Sequence, residues 1–434
     1  MTTASPVLMH DPRSADRRAA QTAVGGLLWL SLAISVVVPH SFQLFSLLLL
    51  FVTFLLTAPI IRRDGWLNNI LLTYFLGVAV TALFMWVGSV NGAPRGANGQ
   101  TFLVYIASPL IWIVLSTGII QLWGIERTVQ TLIRFTWWAV LSVALVFYLF
   151  LVFGRESVSF LTEQTNVNVS GGFAAANILV YGSLIFLVGG VFAQPAVIAK
   201  RWARIVLPGA LLLCVLTSGR SALALAVPIG FLTGIVLRTR IGGREVAPIG
   251  RSVVLPTLLL MLVGVAVLAL MAFLFQTIDL GIILRGFVDK IASGGGDVRT
   301  EQAAALWDGI VATNGVGAGH GVGVMYIRNT DYPWRYEIIP LASLYRVGVL
   351  GTLVYCSTFA VYGFRFLRRA AQRLLKPEDV YMMGGFLAAA AAAWTNPYIE
   401  SFVFQWMYFL PVMSLAVRPT ETDEAAPAAW PLEA

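Results

Sequence analysis

The amino-acid sequence predicts an all-α polytopic membrane protein. Hydrophobic residues make up 58% of its 434 residues and charged residues only 12%, which is too little polar material for the surface of a soluble protein. Apolar runs long enough to cross about 30 Å of hydrocarbon recur along nearly the whole chain, for example at 71–90 and 255–275. A soluble fold is therefore excluded.

Hydropathy and helix-breaking residues predict about twelve transmembrane helices. A tail over 1–21 precedes nine helices within 22–275, and a loop over 276–340 separates them from three more helices within 341–417 and a tail over 418–434. The first apolar stretch continues through 33–39 without a signal-peptide cleavage site, so we expect it to remain as a span. The predicted helices are 22–38, 41–60, 66–90, 101–122, 132–153, 171–194, 203–217, 219–237, 252–275, 341–364, 381–395 and 398–417.

The apolar stretch 203–237 allows two interpretations, one long helix or two helices that meet at Thr217-Ser218-Gly219-Arg220. With two helices, 20 of the 29 basic residues lie on the side of the N-terminus, which the positive-inside rule identifies as cytoplasmic. A single helix would invert every later loop and remove this asymmetry. The charge pattern therefore favours two helices. The nine basic residues left on the outer face are Arg95, Arg155, Arg220, Arg285, Lys290, Arg299, Arg328, Arg335 and Arg346.

The outer loop 276–340 spans about 65 residues, far more than a connector needs, and loops of such length usually carry function. Asp297 is a plausible N-cap for an amphipathic helix over 297–310. The stretch Asn314–Gly323 alternates glycine with other residues. It is not expected to bind a dinucleotide, because no predicted strand precedes it. We expect its glycines to let the backbone fold tightly over a substrate or the bilayer surface.

Two arginines are candidate anion-binding residues, because a charge at membrane depth costs at least a few kcal/mol and is by default functional. Arg220 stands where a helix begins, so free backbone N–H groups and the positive end of the helix dipole lie beside its guanidinium. The alternative is an arginine that extends to the interface from a helix end. Arg299 begins the loop helix, with a structural pair to Asp297 or Glu301 as its alternative role.

Glu337 is the candidate general base, because it lies where the loop re-enters the membrane and a carboxylate there can accept a hydroxyl proton. Its alternative role is a salt bridge to Arg335 or Arg346. Glu400, in the turn Trp394–Ser401, is a second carboxylate on the outer side, among aromatic residues that belong to an interfacial belt or stack on a sugar. His320 could bind a sugar or phosphate, or cap a turn.

These motifs together resemble the O-antigen polymerase and O-antigen ligase superfamily of bacterial envelope glycosyltransferases (the Wzy and WaaL type), most closely an exopolysaccharide repeat-unit polymerase. Thr217–Ser221 matches the superfamily's Ser-Gly-Arg motif, Arg299 its loop arginine, and Gly315–Gly323 its glycine stretch. The closing motif His-Asn-x-x-Leu-x-x-Leu-x-x-x-Gly-x-x-Gly is matched through Gly348 and Gly351, but Glu337 stands eleven residues before Gly348, where many ligases have histidine.

The resemblance implies a GT-C-like glycosyltransferase in the bacterial inner membrane, with both termini cytoplasmic and the loop 276–340 periplasmic. The donor would be a polyprenyl-diphosphate-linked glycan. Arg220 and Arg299 would bind its diphosphate, and Glu337 would deprotonate the acceptor hydroxyl of a second lipid-linked glycan, with inversion. Arg95, Arg155, His320, Arg346 and Glu400 are further candidates for contacts to substrate.

The expected partners are membrane lipid and a chain-length regulator protein, with no nucleic acid. We expect no metal and no cofactor, because the sequence contains no Asp-x-Asp motif and its histidines and cysteines are scattered. Two alternatives remain at this stage, a ligase that transfers a glycan to lipid A–core, and a polysaccharide or lipid transporter or flippase. His320 and Glu400 remain alternatives to Glu337 as the base.

Overall fold

The computed structural model describes residues 12–40, 42–154, 156–159, 166–170, 173–218, 220–242, 262, 266, 297–327, 330 and 332–416. The described chain is almost entirely helical, with one antiparallel hairpin of β1 (Asn166–Ser170) and β2 (Phe173–Asn177). The α-helices are α1 (Pro12–Val37), α2 (Gln43–Thr57), α3 (Gly65–Val90), α4 (Arg95–Thr101), α5 (Ser108–Phe153), α6 (Glu156–Ser159), α7 (Val180–Ala193), α8 (Ala203–Ser218), α9 (Ser221–Leu237), α10 (Asp297–Ala312), α11 (Ile339–Ala371), α12 (Pro377–Ala392) and α13 (Trp406–Met413).

Most predicted helices are present, with differences where a single residue interrupts or shortens them. The predicted helix 101–122 begins with the π-helix Phe102–Ala107 and continues in α5, which also contains the predicted helix 132–153. Between the two, Gly124, with φ 73°, breaks α5 within one residue. The sixth predicted helix begins at Val180 rather than at 171, because the hairpin occupies the preceding residues. The last predicted helix is divided into a 3-10 turn and α13. The predicted helix 252–275 lies outside the described residues apart from 262 and 266.

The stretch 203–237 forms two helices, as the charge pattern predicted. α8 ends at Ser218 and α9 begins at Ser221. Arg220 between them is extended, with φ −105° and ψ 116°, and serves as the N-cap of α9. The predicted loop helix 297–310 is also present, as α10.

Several helices have the length and composition of membrane spans. Among the described residues, five helical segments are long and apolar enough to cross a membrane. Many outward-facing side chains are large and apolar, among them Leu44, Leu72, Leu350 and Phe364. Because such surfaces are unfavourable in water, the chain is a helical membrane protein. The five segments are Ala20–Val37, Gly65–Val90, Arg95–Phe150, Ser221–Arg240 and Ile339–Ala371, and shorter apolar helices occupy Gln43–Thr57, Val180–Ala193 and Ala203–Ser218.

Helices α3 and α11 run antiparallel and define two ends of the bundle. The hydroxyls of Thr73 and Thr358 lie 2.8 Å apart, and the guanidinium of Arg365 lies 4.6 Å from the ring centre of Trp66. The start of α3 therefore lies beside the end of α11. We call this the basic end, and we call the opposite one, where α3 finishes at Val90, the distal end.

Basic segments that are far apart in sequence meet at the basic end. The backbone N–H of Arg62 donates to the Gln121 side chain at 2.7 Å, and Lys376 pairs with Glu126 at 3.3 Å. The N–H of Gly242, just after Arg238 and Arg240, donates to the carbonyl of Leu375 at 3.1 Å. The asymmetric charge distribution is thus a property of the folded bundle as well as of the sequence.

The interior between α7, α9 and α12 depends on close backbone contact. A Cβ on Gly189 would lie 2.5 Å from the carbonyl oxygen of Gly384, and one on Gly230 would lie 2.4 Å from that of Gly189. Small residues allow such approach and are typical of contacts between membrane helices, where packing replaces the hydrophobic effect. These three helices fix the positions of the loops that they carry at the distal end.

Candidate functional site

A buried ion pair forms the centre of the distal end. The carboxylate of Glu400 accepts hydrogen bonds from Arg346 and from the hydroxyl of Tyr105. The side chains of Arg346 and Glu400 are only 4% and 9% exposed. They come from α11 and from the 3-10 turn Tyr398–Glu400 between α12 and α13, so the pair joins segments that are 54 residues apart in sequence.

A break in α11 positions Arg346. The helix is interrupted at Gly348, with φ 67° and ψ −175°, so that Arg346 lies in the last two residues of the first segment of α11. The guanidinium donates to the carbonyl of Trp334 at 2.8 Å and to the hydroxyl of Tyr105 at 2.9 Å, and it lies 5.3 Å from the ring centre of Tyr336. These contacts fix the position of the Arg346 guanidinium.

The glycine stretch supplies the hydrogen bonds that the broken helix loses. The N–H groups of Ala318 and Gly319 donate to the carbonyls of Tyr345 and Arg346 at 2.7 and 2.9 Å. Four of its glycines, at 315, 317, 319 and 321, have φ between 69° and 107°, a region unfavourable for other residues. The expected tight folding is present, but the surfaces that it contacts are α3 and the break in α11.

His320, in this stretch, is buried and only 2% exposed. Its Nε2 lies 2.9 Å from the hydroxyl of Tyr355, and its ring centre lies 4.9 Å from that of Tyr105. Burial, and secondarily the charge of Arg346, lowers the pKa of His320 from its usual 6.5 to about 3. The imidazole is therefore neutral at physiological pH, and it touches the ion-pair centre without carrying charge.

Arg299 and Glu337 form a second ion pair, closer to the surface. The guanidinium Nε lies 2.8 Å from the carboxylate, and the two side chains are 19% and 13% exposed. The Gln302 side chain accepts a hydrogen bond from the backbone N–H of Glu337 at 2.8 Å, which ties the loop to α10. The structure thus pairs the two candidate residues with each other, a partnership that the sequence did not predict.

Arg220 reaches the same turn that carries Glu400. Its guanidinium donates to the hydroxyl of Tyr398 at 2.7 Å, and its backbone N–H donates to Ser218 at 3.2 Å. The 3-10 turn Tyr398–Glu400 thus contacts two arginines, Arg220 through its first residue and Arg346 through its last. Arg220 is half-buried, whereas Arg346 is enclosed.

The remaining predicted residues are not part of this cluster in the described structure. Arg95 is exposed at the first residue of α4, and no hydrogen bond of the cluster described above involves it. Arg155 lies outside the described residues. Their predicted contacts to substrate remain predictions.

The sequence did not identify Tyr105 and Tyr355, which connect the site, whereas Tyr398 was among the aromatic residues predicted in the turn of Glu400. Tyr105 lies in the π-helix Phe102–Ala107, a local widening that often marks functional sites but has no dependable sequence signature. His40 was also missed; its Nε2 lies 2.8 Å from the hydroxyl of Ser401, and burial, with a smaller effect of Arg335, lowers its pKa to about 4. These residues resemble ordinary membrane aromatics and turn residues in sequence.

Among the described residues, no group of three or more His, Cys, Asp or Glu side chains could hold a metal ion. The charged groups instead lie beside groups of opposite charge: Arg346 pairs with Glu400, and Arg299 pairs with Glu337. Arg220 contacts the turn that carries Glu400. Such an arrangement can bind an anion at the more accessible arginines, and it can accept a proton at a carboxylate that an anion has displaced.

Compared with protein-family models, curated proteins and solved structures, the chain has no significant match. The class of protein is therefore defined by its own features: a helical membrane protein with a buried polar centre at the end of the bundle opposite its basic loops.

Proposed function

We propose that this protein is a membrane glycosyltransferase that polymerises polyprenyl-diphosphate-linked oligosaccharide repeat units. The observation that carries the proposal is the grouping of two ion pairs and Arg220 at one end of the bundle, through contacts between residues 38, 54 and 178 positions apart in sequence. In this proposal the chain crosses the membrane twelve times. Its basic end and both termini face the cytoplasm, and its distal end faces the periplasm of the bacterial inner membrane.

The depth of the site supports catalysis at a membrane surface. From Gly348 to Ala371, α11 spans about 36 Å at 1.5 Å per residue, which is enough to cross about 30 Å of hydrocarbon. The break and Arg346 therefore lie near the membrane boundary at the distal end. A lipid-linked diphosphate lies at the same depth, because its polyprenyl chain is in the hydrocarbon and its phosphates are among the headgroups.

Arg220 and Arg299 are the proposed diphosphate ligands. Both are more accessible than Arg346, and guanidinium groups bind phosphate oxygens bidentately and stabilise charge that develops on a leaving group. Arg346 is buried and donates to Glu400, Tyr105 and Trp334, so its proposed role is to hold the turn that presents Tyr398 to Arg220.

Glu337 is the proposed general base, and its pairing with Arg299 gives a reason why it would act only when donor is bound. A diphosphate that binds Arg299 competes with Glu337 for the guanidinium and frees the carboxylate. Glu337 then accepts the proton of the acceptor hydroxyl while that oxygen bonds to the anomeric carbon. The bond from the anomeric carbon to the diphosphate breaks, the diphosphate leaves with the electron pair, and the configuration is inverted.

The positive charge of the arginines supplies the stabilisation that a divalent metal gives in other glycosyl transfers, so the proposed reaction needs no metal. We also propose a chain-length regulator protein as a partner.

Reconstitution in proteoliposomes tests the proposal. Polyprenyl-diphosphate-linked oligosaccharide, extracted from cells that lack this protein, should be lengthened without added nucleotide sugar and in the presence of EDTA. Glu337→Gln should abolish extension, because the amide cannot accept the proton. The matched control is Glu301→Gln, which makes the same change at an exposed position on α10 and should leave extension unchanged.

Other outcomes identify the competing functions. Extension that survives Glu337→Gln removes Glu337 as the base and directs the search to Glu400 and His320. Transfer to lipid A–core without extension identifies a ligase. Movement of lipid-linked glycan across the bilayer without a new glycosidic bond identifies a flippase, which the break in α11 beside a buried ion pair would also suit.

A further inference from the structure

Helix α10 has three faces rather than two. Residues Gln302, Leu306 and Ile310 are buried, one helical turn apart, against the loop and the first segment of α11. The exposed side of the helix is divided between two stripes of different chemistry. We name them the apolar stripe and the acidic stripe.

The apolar stripe consists of Ala304, Trp307 and Val311, which follow one another at three- and four-residue spacing. Trp307 is 56% exposed and Val311 is 60% exposed. The acidic stripe lies on the other side of the exposed surface and carries Glu301 and Asp308, both exposed. A helix surrounded by water has no need of this division, because both stripes would face the same solvent.

The apolar stripe continues into the outward-facing surface of α11. Beyond α10, Val316 is 69% exposed, and the carbonyl of Gly315 accepts a hydrogen bond from Val349 at 3.0 Å. The next residue, Leu350, is 80% exposed on a helix that has the length and hydropathy of a membrane span. Exposed apolar residues therefore follow one another from a candidate span, through Val316, to the loop helix.

We propose that α10 is an interfacial helix, with its apolar stripe inserted among the lipids of the bilayer at the distal end and its acidic stripe facing water. Lipid is the occupant that the observations favour, because the stripe is continuous with a surface that already faces hydrocarbon. A tryptophan at this depth is also typical of a membrane interface. Interfacial helices insert their apolar face by about 5–10 Å.

The interfacial position of α10 also determines the depth of the Arg299–Glu337 ion pair. Arg299 is in its first turn and pairs with Glu337, so membrane insertion of the helix would hold that pair at headgroup depth. The interfacial position depends only on the membrane character of the chain, and it would remain valid if the protein did not transfer sugars.

Site-directed spin labelling in liposomes tests the inference, with the full-length chain in which exposed Cys356 is replaced by Ser. Nitroxides are attached singly at Trp307→Cys and Val311→Cys in the apolar stripe and at Glu301→Cys and Asp308→Cys in the acidic stripe. Leu350→Cys is the reference for a lipid-facing label. Collision with oxygen, which partitions into lipid, is compared with collision with a water-soluble nickel chelate.

Labels at 307 and 311 should favour oxygen as the label at 350 does, and labels at 301 and 308 should favour the nickel chelate. Equal access of the chelate to all four positions on α10 would overturn the inference. Labels at 307 and 311 that neither reagent reaches would also overturn it, because a protein surface, such as a second copy of the chain, would then cover the stripe. Val316→Cys provides another site in the same surface if Trp307→Cys fails to fold.

Discussion

Replacement of Glu400 by glutamine should strongly destabilise the folded protein. Arg346 and Glu400 are 4% and 9% exposed, and removal of one partner leaves a buried charge without compensation. Such losses cost about 3–5 kcal/mol in proteins. Because the glutamine amide retains the shape of the side chain and can still accept a hydrogen bond from Tyr105, we expect a value near the lower limit, about 3 kcal/mol.

The assay is the free energy of unfolding in bicelles, measured by steric trapping. The matched control is Glu126→Gln, which breaks the ion pair with Lys376 at 3.3 Å, where the side chains are 70% and 53% exposed. Exposed pairs contribute about 0–1 kcal/mol, so this variant should be nearly as stable as the wild type. The double variant Arg346→Met, Glu400→Gln should be more stable than Glu400→Gln alone, because the unpaired charge is gone.

The reasoning would be refuted by a Glu400→Gln protein with the stability of the wild type. If that protein also failed to lengthen glycan, Glu400 would act directly on substrate, as the sequence first indicated, rather than by holding Arg346. A destabilised variant whose residual activity falls in parallel with its folded fraction would support the structural role.

Two further predictions concern the glycine stretch and its histidine. Gly88→Ala should destabilise the protein by roughly 1–3 kcal/mol, because its Cβ would lie 2.0 Å from the carbonyl oxygen of His320. The control Gly26→Ala, whose Cβ would meet no atom within 4 Å, should be neutral or slightly stabilising. Both variants are measured by thermal unfolding in detergent. Equal effects would contradict the proposed close contact between α3 and the glycine stretch. The pKa of His320 is lowered to about 3 in the folded state, so below pH 6.5 the unfolded chain binds a proton at this residue that the folded protein does not bind. The contribution of His320 to stability is therefore complete above pH 6.5 and is lost as the pH falls toward 3, by roughly 2 kcal/mol at pH 5. His320→Asn should reduce the slope of unfolding free energy against pH between 7 and 5, and an unchanged slope would show that other groups, such as His40, dominate.

The general architecture could be predicted from local sequence patterns. Hydropathy identifies helices because each must satisfy its backbone within the segment in a membrane. The break between α8 and α9 followed from charge, since only two helices keep the basic loops on one side. The loop helix α10 followed from the amphipathic pattern after Asp297, the predicted N-cap, which is the first helical residue in the structure. Each of these features depends on residues that are neighbours in the chain.

Several local features were not predictable, because they depend on contacts from elsewhere in the chain. The breaks at Gly124 and Gly348 are single residues within apolar runs, and neither interrupts the hydropathy. At Gly348 the break is stable because the glycine stretch, about 30 residues earlier, donates to the released carbonyls. That compensation exists only in the folded protein.

The sequence by itself determined that the chain is a helical membrane protein with an asymmetric charge distribution, and it supplied a short list of polar residues on the less basic side. Only the tertiary structure decided how those residues pair. Arg299 pairs with Glu337, 38 residues away, and Arg346 pairs with Glu400, 54 residues away. The physical reason is that ion pairing depends on distance in space, and Arg346 reaches Glu400 only because a turn between α12 and α13 returns to the break in α11.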